Sequence, residues 1–118
     1  MRILVIDDER LIRRTLRRAL AAHTVQTVES CAEAREVLAT AAFDLVLSDM
    51  HLPDGVGTEI HDWILSSDAQ VRRFAFMTGS PMTAAERATM TSRGTQVLTK
   101  PFGREEVTRL LDWAQSPE

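Results

Sequence analysis

Four short stretches carry the side chains best suited to act together. They are three consecutive acids, Asp7-Asp8-Glu9; a single acid, Asp49; a hydroxyl and a glycine, Thr78-Gly79; and Lys100-Pro101, which contains the only lysine of a chain whose 14 basic residues are otherwise arginine. Carboxylates packed together repel and raise one another's pKa unless a cation lies among them. Hard oxygen ligands in that number suit Mg²⁺, which keeps waters and is commonly completed by phosphate oxygens. A carboxylate beside such a metal can attack phosphorus and become an acyl phosphate. The group transferred carries negative charge on its equatorial oxygens, so a metal, an ammonium and a hydroxyl are the groups that would neutralise it.

For these residues to meet, the chain must bring distant segments to one edge. Apolar, β-branched runs alternate with stretches of helical period, the pattern of a parallel sheet covered on both faces. Strands are expected at Ile3 to Ile6, Thr24 to Val28, Leu45 to Ser48, Phe74 to Met77 and around Val97-Leu98. The intervening helices run from Asp8 or Glu9 to about Ala21, with Ile12, Leu16, Ala19 and Leu20 on one face; from Ser30 to about Thr40; and around Ile60, Ile64 and Leu65 with Trp63 beside them. Two more follow, one from Thr83 to Gly94 and one with Val107, Leu110, Leu111 and Ala114 inward. Ser30 with Glu33 and Thr83 with Glu86 have the spacing of capping boxes, Pro53-Asp54-Gly55-Val56-Gly57 is turn chemistry, and Gly94 is a helix stop. Five alternations make an α/β fold, a (βα)5 doubly wound five-stranded parallel sheet, in which ligands bind beyond the carboxyl ends of the strands. The four chemical stretches all lie just after expected strands.

Each stretch also has a plainer explanation. Asp7, Asp8 and Glu9 could cap a helix and favour its dipole. Asp49 could belong to a turn, and Thr78 could be an ordinary strand-end hydroxyl. Lys100 is harder to explain so, because a compact ammonium used once among arginines answers a need that a guanidinium fork would not meet. The run Arg10, Arg13, Arg14, Arg17 and Arg18 is either a solvated helix face or a steering surface for an acidic partner. Met50, Met77, Met82 and Met90 read as packing residues. His23, His51 and His61 do not form a ligand set.

A length of 118 residues with 44% hydrophobic content allows one core, and one domain is expected over 1–118. One cysteine, Cys31, forms no internal disulfide, and no apolar run reaches the length of a membrane span, so a cytoplasmic protein without a membrane contact is expected. A net charge of -3 argues against direct nucleic-acid binding.

With "VIDDE", "LVLSDMHLPDGVG", "MTG" and "TKPF" at the four strand ends, the whole chain resembles the response-regulator receiver domains of two-component systems. The resemblance implies the flavodoxin-like strand order 2-1-3-4-5. It makes Asp49 the phosphoacceptor, and Asp8, Asp7, Asp49 and the backbone carbonyl of His51 the Mg²⁺ ligands, with Asp7 acting mainly through water. Thr78 and the backbone amides of Met50 and Gly79 would contact the phosphoryl group. Lys100 would pair with it, and the Lys100-Pro101 bond would be cis. The phosphodonor would be a histidine kinase or histidine phosphotransfer domain, docked at the first helix. The side chains of His51 and Ser80 would border the path of attacking water and tune the phosphoryl lifetime. Such a domain catalyses only its own Mg-dependent phosphorylation and dephosphorylation. In this family a tyrosine or phenylalanine normally stands three residues before the lysine as a switch; here it is Val97, which cannot make that swing.

Three rivals use the same elements. An aspartate-based magnesium phosphatase would need a second aspartate where His51 stands. A flavin or nucleotide binder would need a phosphate-cradling loop where Asp7-Asp8-Glu9 stand. A receiver-like interaction module without phosphorylation would have no use for an intact acceptor, metal and lysine set. With no output domain expected after Trp113, the chain reads as a stand-alone receiver or one taken from a larger protein. "FMTGSPMT" and "LTKPF" resemble the receivers of hybrid histidine kinases, with kinase domains in the same parent chain as partners.

Overall fold

The computed structural model describes residues 1–79 and 82–117; Ser80, one of the two expected tuning positions, lies outside them. Five strands form one parallel sheet: β1 (Arg2–Ile6), β2 (Thr24–Val28), β3 (Phe43–Asp49), β4 (Val71–Thr78) and β5 (Gln96–Thr99). Their order, β2-β1-β3-β4-β5, is the expected 2-1-3-4-5. The helices are α1 (Arg10–Ala19), α2 (Cys31–Leu38), α3 (Gly57–Leu65), α4 (Ala84–Arg93) and α5 (Arg104–Gln115).

Strands buried on both faces need apolar residues at every position, and Ile3 to Ile6 are all 0% exposed. Alternate side chains divide between two cores. Leu4, Ile6, Val46, Phe74 and Phe76 pack with Ala34, Leu38, Ile60, Ile64 and Met90, from α2, α3 and α4. Ile3, Val5, Leu45, Leu47, Ala75 and Met77 pack with Leu16, Val107, Leu110 and Ala114, from α1 and α5. The sheet is therefore covered on both sides, α1 and α5 opposite the other three.

The helix ends follow their local signals with informative exceptions. Thr83 and Glu86 form the full capping box of α4, and Gly94 ends that helix in the left-handed region at φ 66°. Ser30 accepts the Glu33 amide, but its hydroxyl, rather than its amide, faces the Glu33 carboxylate. Two apolar residues used to recognise these helices face outward. Leu65 is 71% exposed because it follows Ile64 by about 100° around α3, and Ala19 lies at the open groove between α1 and α5. Residues 53–57 do more than turn. His51–Leu52 and Gly55–Val56 pair as a small antiparallel hairpin, and Asp54 accepts the amides of Cys31 and Ala32 at 2.8 and 3.0 Å, capping α2 from a distant loop. These amides also hold the Asp54 carboxyl below its usual range.

Candidate phosphoryl and metal site

The register places the chemistry. Ile6 pairs with both Val28 and Ser48, Asp49 with Met77, and Thr78 with Thr99, so Asp7, Asp49, Thr78 and Lys100 arrive together at the carboxyl edge. The ladder runs one residue past the strands through Asp7 N–H to the Val28 carbonyl at 3.1 Å and Lys100 N–H to the Thr78 carbonyl at 2.7 Å. The Lys100-Pro101 peptide is cis, as the resemblance implies.

Lys100 is the hub. Its ammonium lies 2.8 Å from Asp7 Oδ2, 3.1 Å from Asp49 Oδ2 and 3.2 Å from Glu9 Oε1. Burial works against this ammonium, but Asp7 and Asp49 outweigh it and its pKa is raised. Asp7 is fully buried, and burial pushes its carboxyl up, with Asp49 adding repulsion against the lowering by Lys100 and the Glu9 amide. Its Oδ1 accepts the Glu9 amide at 2.8 Å, and the guanidinium of Arg13 donates to its carbonyl at 2.9 Å. Glu9 itself is the N-cap residue of α1 yet makes no side-chain capping bond. Its carboxylate is spent on Lys100, which removes the plain capping explanation at this position.

Asp8 is exposed, and one carboxylate oxygen each from Asp7, Asp8 and Asp49 lie within 4.8 Å of one another. Asp7 Oδ2 is buried and has no hydrogen-bond partner among the described residues, although the Lys100 ammonium stands beside it. An all-oxygen acidic set of three carboxylates, with one ammonium to offset them, fits a hard divalent cation such as Mg²⁺. Two of the three histidines are apart from it: His23 sits 3.1 Å from the chain's amino terminus, and the His61 ring lies 4.6 Å from that of Phe74.

Around Asp49 the backbone differs in detail from the expectation. The Met50 amide, expected at a phosphoryl group, donates instead to the Met77 carbonyl at 3.0 Å. The amide facing the acceptor is that of His51, 3.3 Å from Asp49 Oδ1. The His51 side chain is 77% exposed, with Nε2 4.0 Å from Glu86 Oε2. Gly79 is exposed at the head of the following loop. Thr78 is 3% exposed, and its hydroxyl donates to Glu86 Oε2 at 3.2 Å. Val97 is half-buried in β5, packed against the core on the α4 side.

Sequence reasoning assigned no site role to Glu86 or Gly57. Thr83-x-x-Glu86 is legible as a cap, but the second bond of that carboxylate depends on where β4 ends in space. Gly57 donates its amide to the Met50 carbonyl at 2.9 Å, tying the start of α3 to the segment after Asp49.

Comparisons with known proteins identify the family and the fold. The family model described as "Response regulator receiver domain" matches residues 3–112. The response regulator MprA of Mycobacterium ulcerans is 29% identical over 109 residues, which are 91% of this chain and 47% of that protein. The chain spans less than half the length of the curated relatives it matches. Among solved structures, the non-phosphorylated HemR receiver domain from Leptospira biflexa is 30% identical with a TM-score of 0.84, over 99% of this chain and 95% of that one. TrrA from Thermotoga maritima, in complex with Mg(2+)-BeF, is 25% identical with a TM-score of 0.80, over 96% and 97%.

Proposed function

The chain belongs to the response regulator receiver family, and on that premise we propose that residues 1–118 are one receiver domain that accepts a phosphoryl group on Asp49 from a phosphohistidine. The donor is a histidine kinase or a histidine phosphotransfer domain, and the setting is cytoplasmic. The observation that carries this reading is the Lys100 ammonium held between Asp7 and Asp49 at the carboxyl edge of the sheet.

Asp7, Asp8 and Asp49, with the His51 carbonyl, would hold Mg²⁺, which when bound supplies positive charge against the phosphoryl oxygens. The chain's own groups do the rest. An Asp49 carboxylate oxygen attacks phosphorus, the phosphorus–nitrogen bond of the donor breaks, and the imidazole keeps its electron pair. Lys100, already on Asp49 Oδ2, follows the negative charge as it moves outward. The His51 amide holds Asp49 Oδ1 and so limits rotation of the carboxylate. Water attacking phosphorus breaks the acyl phosphate, releases inorganic phosphate and returns Asp49; the signal leaves the domain by conformational change or by onward transfer of the phosphoryl group before that hydrolysis.

Docking falls to the groove between α1 and α5. Leu11 (71% exposed), Phe102, Val107 and Leu111 supply its apolar lining, and Arg14, Arg18 and Arg104 its positive charge. An acidic donor surface matches that charge. Kinase domains of the same parent chain are candidate donors, and the relatives' greater length is compatible with such a parent.

Incubation with acetyl phosphate and Mg²⁺, with the adduct mapped by mass spectrometry, tests the assignment. Labelling confined to Asp49, abolished by excess chelator, and impaired more by Asp8→Ala than by Asp7→Ala is expected. Labelling that survives in Asp49→Asn, or that ignores the chelator, would refute it.

A further inference from the structure

Thr78 stands at the end of β4, beside the strand that ends in Asp49, yet its hydroxyl is committed elsewhere: it donates to Glu86 Oε2 at 3.2 Å. The other oxygen of Glu86 accepts the Thr83 amide at 2.9 Å, and Thr83 Oγ1 accepts the Glu86 amide at 3.1 Å. One carboxylate thus joins the end of β4 to the first turn of α4. The opposite end of α4 is tied down. Arg93 donates to Asp62 Oδ1 on α3 at 2.7 Å and lies 3.0 Å from His61 Nδ1, and the nearby Met90 is 5% exposed.

We propose that Glu86 is a positioning residue: it holds the Thr78 hydroxyl while Asp49 is unmodified and gives it up to a phosphoryl group, so that the state of Asp49 is read at the start of α4. This rests on the reading of Asp49 as the phosphoacceptor. A hydroxyl has one proton, so Thr78 donates either to Glu86 or to a phosphoryl oxygen, and the two states exclude each other. Once Thr78 has changed partner, Glu86 and the phosphoryl group are two anions with no shared proton between them. Repulsion then displaces Glu86, and with it the first turn of α4 through the Thr83 bond. Because Arg93 anchors the far end to α3, the displacement is a tilt that fades along the helix. No aromatic side chain at Val97 is required.

Two measurements test this. The first needs no ligand: a double-mutant cycle of Thr78→Val and Glu86→Ala, read by urea unfolding of the free domain. The unfolding constants are expected to be non-additive by about threefold. The second is beryllofluoride affinity in the presence of Mg²⁺. Glu86→Ala should tighten it about fivefold, the worth of one partly solvated hydrogen bond to a charged acceptor. Glu86→Gln, which keeps an acceptor for the hydroxyl, should give less than half that gain, and Thr83→Ala, which breaks only the cap, none. In the wild type, amide shifts on binding should decline from Ala84 to Arg93. An additive cycle overturns the proposal. Equal gains for Ala and Gln would mean that removal of charge is the whole effect, and a gain for Thr83→Ala that helix capping is; either overturns it. Failure of every variant and the wild type to bind beryllofluoride, with the cycle still non-additive, would instead overturn the phosphoacceptor reading, and release by phosphoryl with it.

Discussion

A Cβ placed on Gly57 would lie 2.5 Å from the backbone carbonyl oxygen of Asp49. No real Cβ comes so close to backbone, and it would also lie 3.2 Å from the Phe76 ring. The glycine is there for close approach of α3 to the end of β3. Gly57→Ala is expected to destabilise the domain by about 2 kcal/mol and to slow acetyl phosphate labelling. Chemical denaturation and labelling rates check both; a variant with wild-type stability and rate would show that the end of β3 yields freely.

Burial of the Asp7 carboxylate opposes folding, and Lys100 and the Glu9 amide offset it only in part. Its folded pKa is raised, chiefly by burial, so its contribution is fully present below the unfolded value of about 3.9 and is lost as pH rises through the folded value. In chelator at pH 7, Asp7→Asn is expected to be more stable than wild type by about 1 kcal/mol, the difference shrinking toward pH 4. Mg²⁺ at ten times its Kd should stabilise the wild type by about 1.4 kcal/mol and leave the variant nearly unchanged. Urea midpoints with and without metal decide it, and a destabilised Asp7→Asn at pH 7 would count against this account.

His61 makes a pH prediction of opposite sign. It is 7% exposed, and burial, then the charge of Arg93, hold its pKa below the ordinary value against the pull of Asp62. Its contribution is present above the unfolded value of about 6.5 and is lost as pH falls through the folded value. Wild-type stability should therefore fall between pH 7 and 5, and His61→Phe should flatten that part of the profile. Parallel slopes for the two proteins would contradict it.

Val97 predicts a weak outward signal on the α4-β5-α5 face. A half-buried valine has no second rotameric pocket to fill, so beryllofluoride should not convert the domain into a tight dimer. Sedimentation velocity with and without beryllofluoride is the measurement. A dimer formed only in its presence, with large shifts along Val107 to Trp113, would overturn the inference.

The strand-end motifs were legible before folding because they follow from periodicity. β-branched runs alternating with helical stretches leave a doubly wound sheet as the economical solution, and that topology carries Asp7, Asp49, Thr78 and Lys100 to one edge. The strand order itself came from family resemblance and not from pattern. The capping signals at Ser30, Thr83 and Gly94 were local, so they could be read locally. Which polar group takes which partner could not be. The Met50 amide goes to Met77 and the His51 amide to Asp49; Glu9 leaves its helix for Lys100, Asp54 caps a helix 23 positions away, and Glu86 reaches the Thr78 hydroxyl. Hydrogen bonds tolerate only a few tenths of an ångström and a limited angle. Those distances are set by how two cores seat five helices on one sheet, a property of the assembled chain that no single segment contains.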